Sequence, residues 1–133
     1  MELTDDLRPQ TLEQARAELQ QAVQAAEAAD QASRRRQEEL EARIAEAARH
    51  ADALLVAINS DDSVRALKGP ERPYLPQEHR AALIAALRPV SAVTIFGAPT
   101  PLEVILAVRP DVLVKGSEYD EADIVGAREV RSW

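Results

Sequence analysis

The fold is decided by the stretch ALLVAINSDDSV, residues 53–64. Its first six residues form a continuous apolar run, and the five that follow, Asn59 to Ser63, are all polar. A short apolar run that ends in polar loop residues is typical of a parallel β-strand buried on both faces. The stretch therefore predicts a buried strand, followed at once by a capped helix.

Two further apolar runs follow along the chain. Residues 92–96 read AVTIF and residues 112–114 read VLV. We predict one helix over residues 76–87 and another that opens at residues 100–103, TPLE, where a capping box coincides with a proline at the first helical position. Alternating strands and helices predict an α/β fold, here a reduced Rossmann-like parallel sheet of about three strands.

The first part of the chain has a different composition. Residues 10–67 contain neither Gly nor Pro, and the first fifty residues are rich in Ala, Glu, Gln, Arg and Leu, which are strong helix formers. Two apolar stripes at helical spacing are separated by residues 29–36, where nothing forces a turn. An N-terminal α-helical hairpin and one long helix therefore remain alternatives. We predict two domains, a helical segment over residues 1–50 and a partial α/β domain over residues 51–133.

Polar side chains in the helical segment are interpreted as structural. Thr11 and Gln14 have the spacing of an N-terminal cap pair. Residues 34–36 are three consecutive arginines, with Glu38 and Glu39 within pairing reach. A solvated helix face is therefore favoured over a phosphate site.

The composition excludes several classes of function. A net charge of −7 argues against binding to a phosphate backbone, and four aromatic residues are too few to form stacking platforms for nucleic acid. Cysteine is absent, which excludes disulfides and thiol catalysis. No apolar stretch approaches the roughly 20 residues that span a bilayer. We expect a soluble cytoplasmic protein with no nucleic-acid or membrane partner.

Polar residues after two of the predicted strands are candidates for a ligand site. Open parallel sheets bind ligands beyond the carboxyl ends of their strands. Asn59, Ser60 and Asp61 follow the first strand, and Lys115 and Gly116 follow the third. The alternative for the first three residues is purely structural, since Asn, Ser and Asp satisfy loop and helix-start amides locally.

Lys68 and Arg80 also allow two interpretations. Lys68, before Gly69 and Pro70, fits a turn with a solvated lysine. Arg80, on the helix opened by Pro76, either pairs in solvent or faces a ligand anion. Periodicity does not separate these alternatives.

Other catalytic and metal-binding patterns do not occur. His50 and His79 are the only histidines, and neither has an Asp or Glu at a spacing that favours zinc. The sequence holds no glycine-rich phosphate loop and no strand-borne nucleophile elbow. The residues alone therefore predict no metal site and no catalytic residue.

Four motifs in order resemble a known enzyme family. They are Asn-Ser-Asp at residues 59–61, Leu-Lys-Gly-Pro at 67–70, Arg-Pro at 72–73 and Val-Lys-Gly at 114–116. Taken together they are similar to the cytidylyltransferase-like nucleotidyltransferases. Within that family the likeness is to the adenylyltransferase domain that forms ADP-heptose from ATP and heptose 1-phosphate, and it covers residues 47–133.

The resemblance implies ATP and a sugar phosphate as substrates, with Mg²⁺ accompanying the nucleotide. It also implies that the residues following the strands border the nucleotide cleft, while the basic residues contact nucleotide or substrate phosphate. The residues it assigns to nucleotide or substrate binding are Asn59, Ser60, Asp61, Lys68, Arg80, Lys115 and Gly116.

Two motifs of the family do not occur in this sequence. One is the His-x-Gly-His loop after the family's first strand, and the other is a Ser-Thr-Thr turn that holds the triphosphate. Because nucleotidyl transfer depends chiefly on positioning and electrostatic stabilisation of the phosphates, we expect impaired or no catalysis from this chain alone.

The family's first strand lies between the strands predicted at residues 54–58 and 112–114, so its loss would leave an unpaired edge. We therefore expect a homo-oligomer. Three alternatives to an impaired nucleotidyltransferase remain: a non-catalytic oligomerisation module, a recombined or engineered fragment of the fold, and a split enzyme completed by another polypeptide.

Overall fold

The structure, a computed structural model, describes residues 9–116 and 118–133. The chain divides into two compact units, with the division between Leu40 and Glu41. The elements in chain order are α1 (Pro9–Ala48), β1 (Leu55–Asn59), α2 (Asp61–Lys68), α3 (Gln77–Ala85), β2 (Ala92–Phe96), α4 (Leu102–Val108), a 3₁₀-helix (Glu121–Asp123) and α5 (Ala127–Ser132).

The N-terminal segment forms one continuous helix of 40 residues, so the long helix is confirmed over the hairpin. Arg34 pairs with Asp30 one turn earlier, Nε to Oδ2 at 3.0 Å, and both side chains are exposed. This agrees with a solvated helix face. The predicted cap at Thr11 is wrong, because the chain is already helical at Pro9 and Thr11 lies inside the helix.

The α/β unit is built on two parallel strands, which confirms the predicted fold class. β1 and β2 pair in register from Leu55 with Ala92 to Asn59 with Phe96. Before the strands, Ser91 N–H donates to the Leu54 carbonyl at 2.9 Å, and Leu54 N–H donates to Ser91 Oγ at 3.0 Å. The segments that lead into β1 and β2 are therefore joined by hydrogen bonds before the strands begin.

The sheet has two strands where the sequence predicts about three. Residues 112–114, the third predicted strand, lie outside any helix or strand. A strand needs a neighbouring backbone to pair with, and residues 112–114 pair with neither β1 nor β2. An apolar run alone does not supply that neighbour.

The helices beside the sheet begin and end close to the predicted positions. α3 starts at Gln77, directly after Pro76. α4 starts at Leu102, and its first turn has no side-chain cap. The predicted capping box at Thr100 is therefore wrong, because Pro101 takes the cap position and Thr100 precedes the helix by two residues. Within the described residues, every helix is either too short or too polar to cross the hydrocarbon core of a bilayer.

The α/β unit has a thin core. Among the described residues the buried hydrophobic side chains are Ile44 and Ile105, and no side chain is fully buried. Leu55 of β1 and Ile95 of β2 remain exposed, so the prediction of strands buried on both faces is wrong. The reason is that a two-stranded sheet has no outer strands to extend the surface on which helices pack.

Shortening Ile105 should destabilise the α/β unit strongly. Its side chain is 6% exposed and Gly126 leaves room for it, whereas Leu106 on the same helix is 47% exposed. We expect Ile105→Ala to lower the free energy of unfolding by about 2 kcal/mol or more, and Leu106→Ala by less than about 1 kcal/mol. Urea unfolding followed by circular dichroism measures both. Equal losses in the two variants would contradict the assignment of Ile105 to the core.

Candidate functional site: a cationic cavity beside the carboxyl end of β1

The polar residues after β1 build the start of α2. Ser60 is the N-cap, and its Oγ accepts a hydrogen bond from Ser63 N–H at 3.2 Å. Asn59 Nδ2 donates to Ser63 Oγ at 3.0 Å, and Ser63 is itself buried. Both side chains thus make the local bonds that the structural interpretation predicts.

Asp61 connects the starts of two helices. Its Oδ1 accepts a hydrogen bond from Arg80 Nη2 of α3 at 2.7 Å, and its backbone N–H donates to Gln77 Oε1 at 2.9 Å. The two charged side chains are 24% and 21% exposed, so solvent screens the ion pair only in part. Arg80 also donates from Nε to the Leu75 carbonyl at 3.1 Å. Asp61 and Arg80 therefore fix α3 against the carboxyl end of β1.

This ion pair shifts the titration of Asp61. The hydrogen bond from Arg80 is the main cause that lowers the pKa of Asp61 below its ordinary value of 3.8, and it outweighs the opposing effect of desolvation. Asp61 is therefore a carboxylate at neutral pH. Its charge compensates that of Arg80.

A cavity of about 310 Å³ lies between α2 and the segment that leads into α3. Three of its lining side chains are cationic and the rest are apolar or aromatic. They are Lys68, Arg72 and Arg80, with Val64, Pro73, Tyr74 and Leu75. A concave site of this kind, largely apolar with a few converging charges, is typical of small-molecule binding.

The cavity contains two residues that the sequence analysis did not assign to the site, Arg72 and Tyr74. The Arg72 guanidinium lies 3.9 Å from the centroid of the Tyr74 ring. The Arg-Pro motif at residues 72–73 was the available signal. It contributed to the resemblance, but nothing in the residue spacing placed Arg72 beside Lys68.

The structure therefore gathers part of the predicted set. Asp61 and Arg80 are in contact, Lys68 and Arg80 line one cavity, and Asn59 and Ser60 precede Asp61. The binding roles of these residues remain predictions.

Lys115 and Gly116 form a separate group. Lys115 Nζ lies 4.8 Å from the centroid of the Tyr119 ring. The Glu118 carboxylate lies over Gly116, 2.7 Å from where a Cβ would stand, and it pairs with Arg43 at 3.2 Å. Neither Lys115 nor Gly116 is among the residues that line the cavity.

Metal-binding side chains are not clustered in the described part of the chain. No group of three or more His, Cys, Asp or Glu side chains is placed to hold a metal ion there. Asp61, which contacts the cavity residue Arg80, is already paired with it.

Parallel strands joined through helices, with polar residues after β1 and a cationic cavity beside them, define a Rossmann-like α/β domain. The profile of the cytidylyltransferase-like family matches residues 42–131, well over half of the chain. The chain belongs to this family.

Curated relatives agree with this assignment. The chain is 57% identical over 82 residues to the bifunctional protein HldE of Koribacter versatilis. This match covers 62% of this chain and 17% of that protein. It is 54% identical over 82 residues to HldE of Acidiphilium cryptum, with the same coverage. It is 51% identical over 89 residues to HldE of Methylobacillus flagellatus, covering 66% of this chain and 18% of the relative. The chain thus spans less than a fifth of the length of these relatives.

The Asp61–Arg80 pair should make stability depend on acid pH. Because the folded pKa of Asp61 is lowered, its stabilisation is complete above the unfolded pKa, near 3.8, and is lost as pH falls through the folded pKa. We expect the free energy of unfolding of the unmodified chain to exceed that of Asp61→Asn by a constant amount above about pH 5, and by less as pH falls below 3.8.

The control is the same comparison in an Arg80→Met background, which lacks the main cause of the lowered pKa of Asp61. There the difference in free energy of unfolding between the chain with Asp61 and its Asp61→Asn variant should depend little on pH. Denaturant titrations from acid to neutral pH provide both series. A gap in the unmodified background that does not change with pH would contradict the pairing.

Proposed function

We propose that the α/β unit forms part of the substrate site of a nucleotidyltransferase that transfers an adenylyl group from ATP to heptose 1-phosphate. The observation that carries the proposal is the cavity lined by Lys68, Arg72 and Arg80, which adjoins the carboxyl end of β1 through the Asp61–Arg80 pair. Family membership and the HldE relatives support the reaction class.

The reaction requires compensation of negative charge. An oxygen of the sugar phosphate forms a bond to the α-phosphorus of ATP, the bond from that phosphorus to the oxygen bridging to the β-phosphorus breaks, and the electron pair leaves with pyrophosphate. Both reactants are polyanions, so cations must lie where they meet. Mg²⁺ enters as part of the substrate, chelated by the nucleotide phosphates.

The residues of this chain would position substrates. In the proposal Lys68 and its neighbours hold phosphate, the loop from Asn59 to Asp61 borders the cleft, and Lys115 and Gly116 border the nucleotide. Neither the His-x-Gly-His nor the Ser-Thr-Thr motif occurs in the sequence. We therefore propose that the chain alone binds its substrates and turns them over slowly, and that it works in the cytoplasm, where ATP is available.

Calorimetric titration of the chain with MgATP, and with MgCTP for comparison, tests this proposal. We expect saturable binding of ATP near one-to-one stoichiometry, weaker binding of CTP and, in a separate titration, at least a tenfold weaker affinity for heptose 1-phosphate in Lys68→Ala. The reason is that Lys68 supplies a charge with no described carboxylate to compensate it.

Release of pyrophosphate in the presence of heptose 1-phosphate then tests turnover. No detectable heat with either nucleotide, together with an unchanged melting temperature, would remove the nucleotide from the proposal. Fast turnover by the chain alone would overturn the proposed impairment.

A second candidate function, self-association, is supported by the surface of α1. Positions 12, 19, 26, 33 and 40 repeat every seven residues and hold Leu, Leu, Ala, Ser and Leu. The leucines and Val23 beside them are exposed, with Leu19 at 65%. Helices that pair between chains repeat apolar residues at two positions in every seven. In α1 the first set is interrupted by Ser33, and the second set holds Ala15, Ala22 and Ala29. We propose that two copies pair through this stripe.

Adding charge to the stripe should dissociate such an oligomer. We expect Leu19→Glu with Val23→Glu to give a monomer by sedimentation velocity at a concentration where the unmodified chain is a dimer, because both side chains would carry charge into the interface. Gln21→Glu with Gln24→Glu adds the same charge on the other side of the helix and should leave the dimer intact. A monomeric mass of the unmodified chain at high concentration would refute the proposal.

A further inference from the structure

The three cations of the cavity differ in what they already bind. Arg80 is committed on two sides, to the Asp61 carboxylate at 2.7 Å and to the Leu75 carbonyl at 3.1 Å, and it is mostly buried. Lys68 and Arg72 have no ion pair with any carboxylate in the described part of the chain, and both are exposed. The charge that remains for a ligand therefore belongs to Lys68 and Arg72, whereas Arg80 is neutralised by the protein.

Arg72 is held in place by its own backbone and by Tyr74. Gly69 ends α2 with a φ of 98°, a conformation that favours glycine, and Arg72 N–H donates back to the Gly69 carbonyl at 3.2 Å. The chain thus reverses directly after α2. The guanidinium then lies 3.9 Å from the centroid of the Tyr74 ring, and both side chains line the cavity.

Stacking on a ring suits a guanidinium that has to bind an anion. The ring lies against the face of the guanidinium and its N–H groups point outward in the plane, so stacking leaves the donors free. Those donors match the oxygens of a phosphate in a bidentate arrangement. The contact with Tyr74, which is 75% exposed, restricts the guanidinium and so lowers the conformational freedom it loses on binding.

The size of the cavity suits a small ligand. Its volume of about 310 Å³ is at the lower end of the range of about 300–1,000 Å³ for small-molecule sites. This volume accommodates a phosphate monoester of a single sugar. Val64 and Leu75 supply apolar walls for the carbon skeleton.

We propose that Arg72, stacked on Tyr74 and assisted by Lys68, binds the phosphate of the sugar phosphate, and that Arg80 shapes the cavity without contacting that phosphate. Tyr74 is a positioning residue that acts through Arg72. The identity of the ligand as the acceptor of the adenylyl group rests on the proposed function. The binding of a small phosphate monoester in the cavity does not.

The test is calorimetric titration of the full chain with heptose 1-phosphate, with inorganic phosphate as a minimal probe, and separately with MgATP. We expect Arg72→Ala to lower the affinity for heptose 1-phosphate and for inorganic phosphate at least tenfold, while the affinity for ATP changes less than twofold. Arg72→Lys should recover only part of the loss, because an ammonium group cannot bind in a bidentate manner or stack equally well. Arg88→Ala removes an exposed arginine outside the cavity and is the matched control.

The role of Tyr74 has its own measurement. Tyr74→Phe keeps the ring and should bind the sugar phosphate like the unmodified chain, whereas Tyr74→Leu should weaken binding several-fold. The double variant Arg72→Ala with Tyr74→Leu should bind no more weakly than Arg72→Ala, since Tyr74 acts only through Arg72. Urea midpoints of all variants show that each one folds, and a variant that does not fold is replaced by Arg72→Gln or Tyr74→Met at the same position.

The outcomes separate this inference from the proposed function. Sugar-phosphate binding that depends on Arg72, without any ATP binding, supports the phosphate site in the cavity and overturns the proposed nucleotidyltransferase function. ATP binding together with sugar-phosphate binding that is insensitive to Arg72 overturns the inference alone. No binding of either phosphate probe to the unmodified chain, or an equal loss of ATP and sugar-phosphate affinity in Arg72→Ala, also overturns it.

Discussion

The parallel pairing of β1 with β2 determines where every other part of the site lies. Because the strands run in the same direction, the chain leaving β1 must cross over before it can enter β2, and residues 60–91 make that crossing. The crossing contains α2 and α3, and it begins at the carboxyl end of β1. Asp61, the first residue of α2, therefore lies at that end of β1, and the Arg80 that pairs with it comes from the other helix of the same connection.

The same connection explains why a cavity forms there. Gly69 ends α2 and sends the chain back, and the prolines that follow prevent it from continuing as a helix before α3 begins. The reversal leaves space between α2 and the returning segment, and the Asp61–Arg80 pair joins the two helices. Had Asp61 not neutralised Arg80, three uncompensated cations would repel one another in one small cavity. Pairing one of them leaves two for a ligand.

The sequence predicted the parts of this architecture that depend on local patterns. The apolar runs located β1 and β2, and the helix-forming composition located α1. It did not predict the N-cap of α4, which is Pro101 and not Thr100. It also overestimated the sheet, because the run at residues 112–114 has the composition of a strand without a partner in the described residues. Arg72 and Tyr74 were missed for a similar reason. Their contact depends on the chain reversal at Gly69, and no periodicity reports how two residues on such a segment face each other.

A thin core and a charged cavity in the same unit couple ligand binding to folding. Ile44 and Ile105 are the buried hydrophobic residues among those described, so hydrophobic packing contributes little to the stability of the α/β unit. A ligand that binds only the folded state at a hundred times its Kd adds about 2.7 kcal/mol, against a typical total of about 5–15 kcal/mol for a folded domain. Between Gly69 and Pro76, Arg72 N–H already donates to the Gly69 carbonyl, and a phosphate bridging Lys68 and Arg72 would add a second link between this segment and the end of α2. Ligand binding in the cavity would then stabilise the connection between α2 and α3 that forms the cavity.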